Sequence, residues 1–323
     1  MTVELAYHAS HEQFGPAELL GLARAAAAAG FDAVLSSDHL APWSPDGESG
    51  FAWSWLGALA ATTDVPLASV SAPGQRYHPA VLAQAIATVA ALAPGRLTVA
   101  LGSGQALNEH VTGDPWPDKA ERNARLAECA DVIARLLDGE EVDHDGLVRV
   151  DRARLYSLPP VRPRLFAAAM TPESAAEVAT WADGLITVNA SWDHLRDVVE
   201  AYRGAGGDGP VHVQVHVSWA QDERMAREQA VDQWAMAVLD PSATQDLALP
   251  AEIAAAAAGA TPDDLADGVV VSADLDEHVE WLCTCAGLGV ERIYVHQVGR
   301  DQAGFIEAFG RHVLPRVRER LGG

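Results

Sequence analysis

The chain has 323 residues, of which 49% are hydrophobic, and its 45 acidic and 22 basic side chains give a net charge of −23. This excess of acids argues against nucleic acid and against an anionic membrane surface as partners, because both are bound through clusters of Lys and Arg. The hydrophobic content is ample for a large core, and the length suits one α/β barrel.

Strand-like and helix-like segments alternate along the chain. We predict strand–helix pairs, in chain order, at 3–9 with 16–30, 32–38 with 50–63, 66–72 with 79–95, 96–104 with 119–139, 164–169 with 172–182, 184–189 with 191–206, 211–220 with 222–239, and 292–299 with 303–321. One further helix is predicted at 275–289. The strands are apolar along their length, which is typical of parallel strands covered by helices.

These eight units predict a (β/α)8 TIM barrel, formed as a single domain over residues 1–323. Two segments interrupt the alternation: a β-hairpin excursion near 140–158 and an irregular insertion near 240–268. The alternative is an open, doubly wound sheet, which requires a Gly-rich turn directly after an early strand. The segment 102–109 is the only candidate for that turn, and it lacks the third glycine.

Polar residues follow each predicted strand at the end where a barrel of this kind builds its reaction site. Four of them are histidines: His8, His39, His216 and His296. Their convergence predicts a concave polar site. With Asp38 they could suggest a metal centre, but no two of them lie close together within one element, so we expect no catalytic metal.

The cellular setting is inferred from what the sequence contains. Three cysteines, Cys129, Cys283 and Cys285, are too few for a disulfide framework and predict a reducing cytoplasm. The N-terminal residues have neither the basic region nor the apolar run of a signal peptide. No apolar run is long enough to suggest a membrane span.

Several long, ordered motifs point to a known family. The segments "HASHEQFGPAELLGLA", "SDHLAPW", "LGSGQALNEHVTG" and "WADGLITVN" closely resemble the bacterial luciferase-like oxidoreductases. The nearest branch contains coenzyme-F420-dependent glucose-6-phosphate dehydrogenase, and a subgroup of it is thought to use FMN. The resemblance implies a flavin-like ring in the barrel mouth and a homodimer formed through exposed apolar surface on the second and third helices.

The resemblance also implies catalytic roles around the second strand. His39 is implied as the proton acceptor or donor beside the ring, with Asp38 next to it, and Trp43 near the substrate. We expect a neighbouring carboxylate to hold His39. The indoles of Trp53 and Trp55 could add flat walls for the ring, although packing in the core is an equally good interpretation for both.

Other positions are implied to bind the cofactor. Ser69 and Val70 fall where the family has a non-proline cis peptide under the ring. The cofactor chain would be held by Gly102, Gly104 and Asn108, and its phosphate by backbone N–H groups of the loop formed by Ala168, Ala169, Met170 and Thr171.

Three departures from the branch bear on substrate and cofactor. Gln105 stands where the sugar-phosphate dehydrogenases carry a glutamate proton donor, and a glutamine cannot donate that proton; Glu12 and Glu109 are nearby carboxylates that could. Ala190 replaces a phosphate-binding lysine, and residues 250–268 contain no Lys or Arg, so a phosphorylated substrate would lack its counter-charge. Ala169 and Met170 replace a glycine pair, which leaves the choice between F420 and FMN open.

We therefore expect hydride transfer between a flavin or deazaflavin and a small, non-phosphorylated substrate. Two alternatives remain from the sequence. One is an FMN-dependent monooxygenase that uses molecular oxygen and is served by a flavin reductase. The other is a non-catalytic, flavin-binding homologue.

Overall fold

The structure is a computed structural model that describes residues 3–322. Its strands are β1 (Glu4–Ala9), β2 (Val34–Ser37), β3 (Leu67–Ser71), β4 (Leu97–Leu101), β5 (Val142–Asp145), β6 (Arg149–Ala153), β7 (Arg164–Ala168), β8 (Leu185–Val188), β9 (Val211–Ser218), β10 (Val270–Val271) and β11 (Arg292–Gln297). The helices are α1 (Pro16–Ala28), α2 (Ala52–Ala60), α3 (Pro79–Leu92), α4 (Ala106–Glu109), α5 (Lys119–Leu137), α6 (Pro172–Val178), α7 (Trp192–Gly204), α8 (Glu223–Trp234), α9 (Pro241–Thr244), α10 (Pro250–Ala256), α11 (Leu275–Ala286), α12 (Gln302–Ala308) and α13 (Leu314–Gly322), with a π-helical turn at Phe309–Val313 before the last.

Eight parallel strands close into a ring in the order β1, β2, β3, β4, β7, β8, β9 and β11, with β11 paired back to β1. This closure confirms the predicted barrel and is incompatible with the open sheet. The additional strand β10 lies beside β9 outside the ring and was not predicted. Strands β5 and β6 form an antiparallel hairpin of their own, and the segment 240–268 contains α9 and α10.

Alternate residues of the strands face the barrel interior and the surrounding helices. The interior cluster takes one or two residues from most strands, among them Ala6, Leu35, Ala68, Ala100, Phe166, Ile186 and Tyr294. The neighbouring positions, such as Leu5 and Val34, pack against the helices. Two residues beyond Ala6 and Tyr294, the same alternation directs His8 and His296 to the upper end of the interior, where the site is found.

Side-chain caps determine where several helices begin above the strands. Asp118 accepts a hydrogen bond from the Glu121 amide (2.9 Å) at the start of α5, and Asp222 accepts one from the Met225 amide (2.9 Å) at the start of α8. Each cap satisfies an amide that the first helical turn leaves unpaired. Among the helices of residues 3–322, none combines the length and hydropathy needed to cross a bilayer.

Candidate active site

A cavity of about 1610 Å³ opens at the C-terminal ends of the barrel strands. The residues that the sequence suggested for the site line it, except Ser69, Trp53 and Trp55, which are buried. The lining residues from that set are Glu12, Asp38, His39, Trp43, Val70, Gly102, Gly104, Gln105, Asn108, Glu109, Ala168, Ala169, Met170 and Thr171. The strand-end rule therefore located the cavity, although the contacts within it differ from several expectations.

The carboxylate that holds His39 is Glu12, from the loop after β1. His39 Nδ1 lies 2.7 Å from Glu12 Oε1. The hydroxyls of Ser37 and Ser10 donate to the two Glu12 oxygens at 2.7 and 2.8 Å. Burial alone would raise the pKa of Glu12, but the charge and hydrogen bond of His39, with His8 and Ser37, hold it well below its usual range. Glu12 is thus an anion at neutral pH, and it leaves His39 Nε2 without a protein partner among the described residues.

Asp38, the neighbour of His39 in sequence, does not hold the imidazole, because its carboxylate points the other way. Asp38 Oδ2 accepts from Ser71 Oγ (2.8 Å) and from the Trp53 indole (3.2 Å), and Oδ1 accepts from the Tyr77 hydroxyl (3.0 Å). Arg76 also lies 3.4 Å from Oδ1. Asp38 therefore ties the end of β2 to its neighbours and has no acceptor capacity to spare for His39.

The same arginine binds Glu109. The Arg76 amide donates to Glu109 Oε2 (2.6 Å), and its Nε lies 3.4 Å from Oε1. Burial raises the pKa of Glu109, and the three interactions with Arg76 oppose that rise. With its oxygens already occupied, Glu109 is poorly placed to replace a proton donor. Gln105, at the start of α4, lines the cavity and makes no side-chain capping bond.

Two indoles form the wall beside His39. The Trp43 ring meets the imidazole edge-on at 4.8 Å between centroids and meets Trp234 at 6.5 Å. Met236 and Leu239, which follow α8, continue this apolar wall along the cavity. Trp234 was not predicted, because it lies at the end of α8 and not at the end of a strand.

Trp53 and Trp55 do not serve as walls for a ring. Both are only 4% exposed and belong to the hydrophobic core. The Trp55 indole donates to the carbonyl of Pro16 (3.1 Å), and that of Trp53 donates to Asp38. Their spacing within α2 directs them into the packing between helices, as the alternative interpretation of these residues predicted.

Three histidines line the cavity next to Trp234. The rings of His8 and His296 are 4.2 Å apart, and those of His216 and His296 are 5.3 Å apart. Burial lowers the pKa of His8 to about 4 and that of His216 to about 3, and it holds that of His296 well below the usual range. These rings are therefore neutral at pH 7 and can donate or accept hydrogen bonds, but they do not act as acids.

The peptide bond between Ser69 and Val70 is not cis. All peptide bonds among residues 3–322 are trans, so this expectation is wrong for the structure. Both residues lie within β3, where Ser69 pairs with Ser36 and Val99 on either side. The trans bond is compatible with this regular pairing on both sides, whereas a non-proline cis bond costs about 3 kcal/mol.

Asn108 and Gly104 shape the turn after β4. Asn108 Oδ1 accepts from the amides of Leu40 (2.8 Å) and Ala41 (3.3 Å), so it holds the chain just after His39. Gly104 has φ +83°, and a Cβ there would lie 3.2 Å from Glu109 Cγ. Both the dihedral angle and the close approach therefore require glycine.

Some polar groups of the loop after β7 already have hydrogen-bond partners within the protein. The Ala169 amide donates to Ile186 (3.1 Å), the Met170 carbonyl accepts from His194 Nε2 (2.8 Å), and Thr171 Oγ1 caps α6 at the Ser174 amide. The amides of Met170 and Thr171 donate to no protein acceptor in the described part of the chain. They are the groups left free for a ligand.

Helix α5 and the insertion complete the cavity with residues that the sequence analysis missed. Lys119 and Arg122, from the first turn of α5, line it. Gln245, from the insertion, accepts two hydrogen bonds. Its backbone carbonyl accepts from the Ala106 amide (2.8 Å), and its side-chain Oε1 accepts from Arg122 (2.9 Å). Within residues 3–322, no three His, Cys, Asp or Glu side chains are grouped so that they could hold a metal ion.

The chain resembles known proteins along nearly its whole length. A family model described as luciferase-like monooxygenase matches residues 2–292. The F420-dependent glucose-6-phosphate dehydrogenase of Nakamurella multipartita is 36% identical over 99% of this chain and 98% of its own, and that of Beutenbergia cavernae is 37% identical over 98% of both. Among solved structures, an F420-dependent secondary alcohol dehydrogenase with an F420–acetone adduct superposes with a TM-score of 0.91 at 29% identity, covering 98% of this chain and 100% of the other.

Proposed function

This chain belongs to the luciferase-like monooxygenase family of oxidoreductases, and on that premise we propose that it transfers hydride between an F420 or FMN ring and a small, non-phosphorylated organic substrate. His39 is the acid or base in this proposal. The observation that carries it is the Glu12–His39 pair, which presents a free imidazole Nε2 beside the aromatic wall of the cavity.

The residues of the cavity fit a flavin or deazaflavin. Its volume of about 1610 Å³ exceeds that of common small-ligand pockets. Nδ1 of His8 is buried without a partner, and the amides of Met170 and Thr171 are free. Such unpaired donors suit the polar edge of a ring system and the phosphate of its side chain.

The bound ring would supply the hydride chemistry, and the protein positions the reactants, transfers the proton and excludes water. Glu12 holds Nδ1 of His39, which leaves Nε2 to take the proton of an alcohol or return it to a carbonyl. Trp43 and Trp234 keep water away from that nitrogen. The buried histidines remain neutral and do not compete for the proton.

The substrate proposed is a small secondary alcohol or its ketone. Among the described residues, no Lys or Arg forms a hydrogen bond or ion pair with the side chains of His39, Trp43 or Trp234, and Arg76, which reaches the Asp38 carbonyl, is paired with Asp38 and Glu109. This end of the cavity therefore offers no free counter-charge for a phosphate. The related structure with the acetone adduct supports a compact, uncharged substrate. The curated relatives act on glucose 6-phosphate, which makes that sugar the decisive comparison.

The test begins with fluorescence titration of the purified protein with F420 and with FMN, followed by turnover of propan-2-ol and of glucose 6-phosphate. We expect tight binding of at least one cofactor and turnover of the alcohol only. Turnover of glucose 6-phosphate would overturn the substrate assignment. Binding of FMN alone, with oxygen consumption in the presence of a flavin reductase, would indicate a monooxygenase instead. Failure of both cofactors to bind below about 100 μM, weaker than roughly −5.5 kcal/mol, would favour the non-catalytic alternative.

We also propose that the protein is a cytoplasmic homodimer. Helices α2 and α3 contain no charged residue, and Val81 (57%) and Leu92 (55%) of α3 are exposed, as is Phe51 (55%) at the start of α2. An uncharged surface of this kind on a chain of charge −23 suits contact with a second copy. We expect a dimer by light scattering, a monomer for Val81→Lys, and no change for Val111→Lys, whose side chain is equally exposed elsewhere (55%).

A further inference from the structure

The chain contains a single lysine. Of its 22 basic residues, 21 are arginines and one is Lys119, which lines the cavity. Lys119 is the first residue of α5 and is exposed at the edge of the cavity. Its Nζ donates to Ser103 Oγ at 3.3 Å, and no carboxylate of the described residues lies within ion-pair distance. Its charge is therefore free to meet a ligand.

Arg122 lies one turn further along α5 and is only 4% exposed. Its Nη1 and Nη2 donate to the carbonyl of Pro117 (2.8 Å) and to Gln245 Oε1 (2.9 Å), which are neutral acceptors, and its Nε is buried without a partner. The nearest carboxylate, Asp246, is 3.6 Å away and has a side chain that is 66% exposed. A guanidinium buried with so little compensation attracts an anion to this wall.

Positive charge in the cavity lining is confined to α5. Lys119 and Arg122 are its only Lys or Arg among the described lining residues. The acidic side chains that line it are Glu12, Asp38, Glu109, Asp118, Glu173, Glu177, Asp246 and Asp267. Asp118, Glu177 and Asp246 also lie close to α5. Both cations of the lining are at this wall, so an anionic group finds its counter-charge there, and Ser103 after β4 adds a hydroxyl.

From this arrangement we infer that Lys119, with Ser103 and Arg122, binds the phosphate-bearing side chain of the cofactor and so sets the orientation of the ring toward His39. This inference rests on the proposed function, because it concerns the cofactor named there. Lysine serves here as a mobile point charge that reaches a phosphate oxygen, whereas Arg122 supplies a fixed charge behind it.

Binding measurements separate the side chain from the ring. The probes are F420 and FMN, each paired with its phosphate-free counterpart, the deazaflavin chromophore or riboflavin. For Lys119→Gln we expect affinity for the phosphate-bearing member to fall about tenfold or more, since a charge-assisted hydrogen bond is lost. Affinity for the phosphate-free member should stay within about twofold, and Lys119→Arg should recover most of the loss. Arg149→Gln, with a side chain 86% exposed on the hairpin, removes the same charge as a control.

The single lysine permits a second readout that does not depend on substitution. We expect acetylation of Lys119, followed by peptide mass spectrometry on the wild-type protein, to be slowed by the phosphate-bearing cofactor and not by its phosphate-free counterpart. Equal protection by both, or equal weakening of both in Lys119→Gln, would overturn the inference while leaving the proposed function intact. If the wild-type protein binds neither cofactor, the proposed function itself fails, and the inference fails with it.

Discussion

His39 Nδ1 and Glu12 Oε1 lie 2.7 Å apart, although the two residues come from the ends of different strands. Two serine hydroxyls donate to the same carboxylate, so Glu12 stays ionised and its position is determined before any ligand arrives. An imidazole held at one nitrogen by a buried anion presents the other nitrogen in one orientation. The first prediction concerns this pair.

Replacing Glu12 by Gln should lower turnover by about 100-fold, because it removes the anion that holds the His39 imidazole while the side chain keeps its size. Cofactor affinity should change by less than about twofold. The measurements are steady-state kinetics and fluorescence titration. Glu173→Gln is the matched control, since Glu173 lines the same cavity and is exposed. Equal kinetics for the two variants would contradict a role for the pair.

Arg76→Gln should destabilise the protein by about 3–5 kcal/mol, because it leaves the buried carboxylates of Asp38 and Glu109 without their shared cation. The free energy of unfolding in urea measures the effect. Adding Glu109→Gln to this variant should restore part of the loss, since one uncompensated charge is removed. A loss below about 1 kcal/mol in Arg76→Gln would show that the arginine is dispensable.

Gln105→Ala should leave turnover within about threefold of wild type, because the amide cannot supply a proton. Gln105→Glu should add a titrating group to the cavity and a new inflection on the acid side of the pH profile, starting from an ordinary glutamate pKa of about 4.3. The measurement is turnover as a function of pH for all three proteins. A loss of about 100-fold in Gln105→Ala would assign a direct part in catalysis to this residue.

Stability should fall as the pH drops below about 6.5. The folded protein holds the pKa of His8 at about 4 and those of His212 and His216 at about 3, so the unfolded chain takes up protons first. Each such histidine contributes a slope of about 1.4 kcal/mol per pH unit between its unfolded and folded pKa values. Urea unfolding from about pH 7 to pH 5 measures this dependence.

Two histidine variants test the origin of that slope. His212→Phe removes a titrating group from a site packed between Phe166 and Tyr294 and should make the dependence shallower by about 1.4 kcal/mol per pH unit. His312→Asn, at an exposed position, should leave it unchanged. A wild-type stability that is constant over this range would contradict the account of buried neutral histidines.

The sequence by itself determined the barrel and the location of its cavity. Eight apolar strands alternating with helices admit few other folds, and the rule that sites form at C-terminal strand ends selected His39, Gln105 and Met170 without any coordinates. These inferences succeed because periodicity and chain order are local properties. The motifs also indicated the family, since "SDHLAPW" and "LGSGQALNEHVTG" are long enough to be specific.

Only the tertiary structure decided which side chains meet. Asp38 is the neighbour of His39 in sequence, yet Glu12 is its partner, because the Asp38 carboxylate turns to Ser71, Trp53 and Tyr77 while the barrel brings the loop after β1 beside the imidazole. Arg76, from the loop after β3, and Lys119, from the start of α5, reach the site because tertiary packing brings these segments beside the ends of neighbouring strands. Contacts between distant segments depend on the angles and distances at which those segments pack, and a linear pattern of residues does not contain that information.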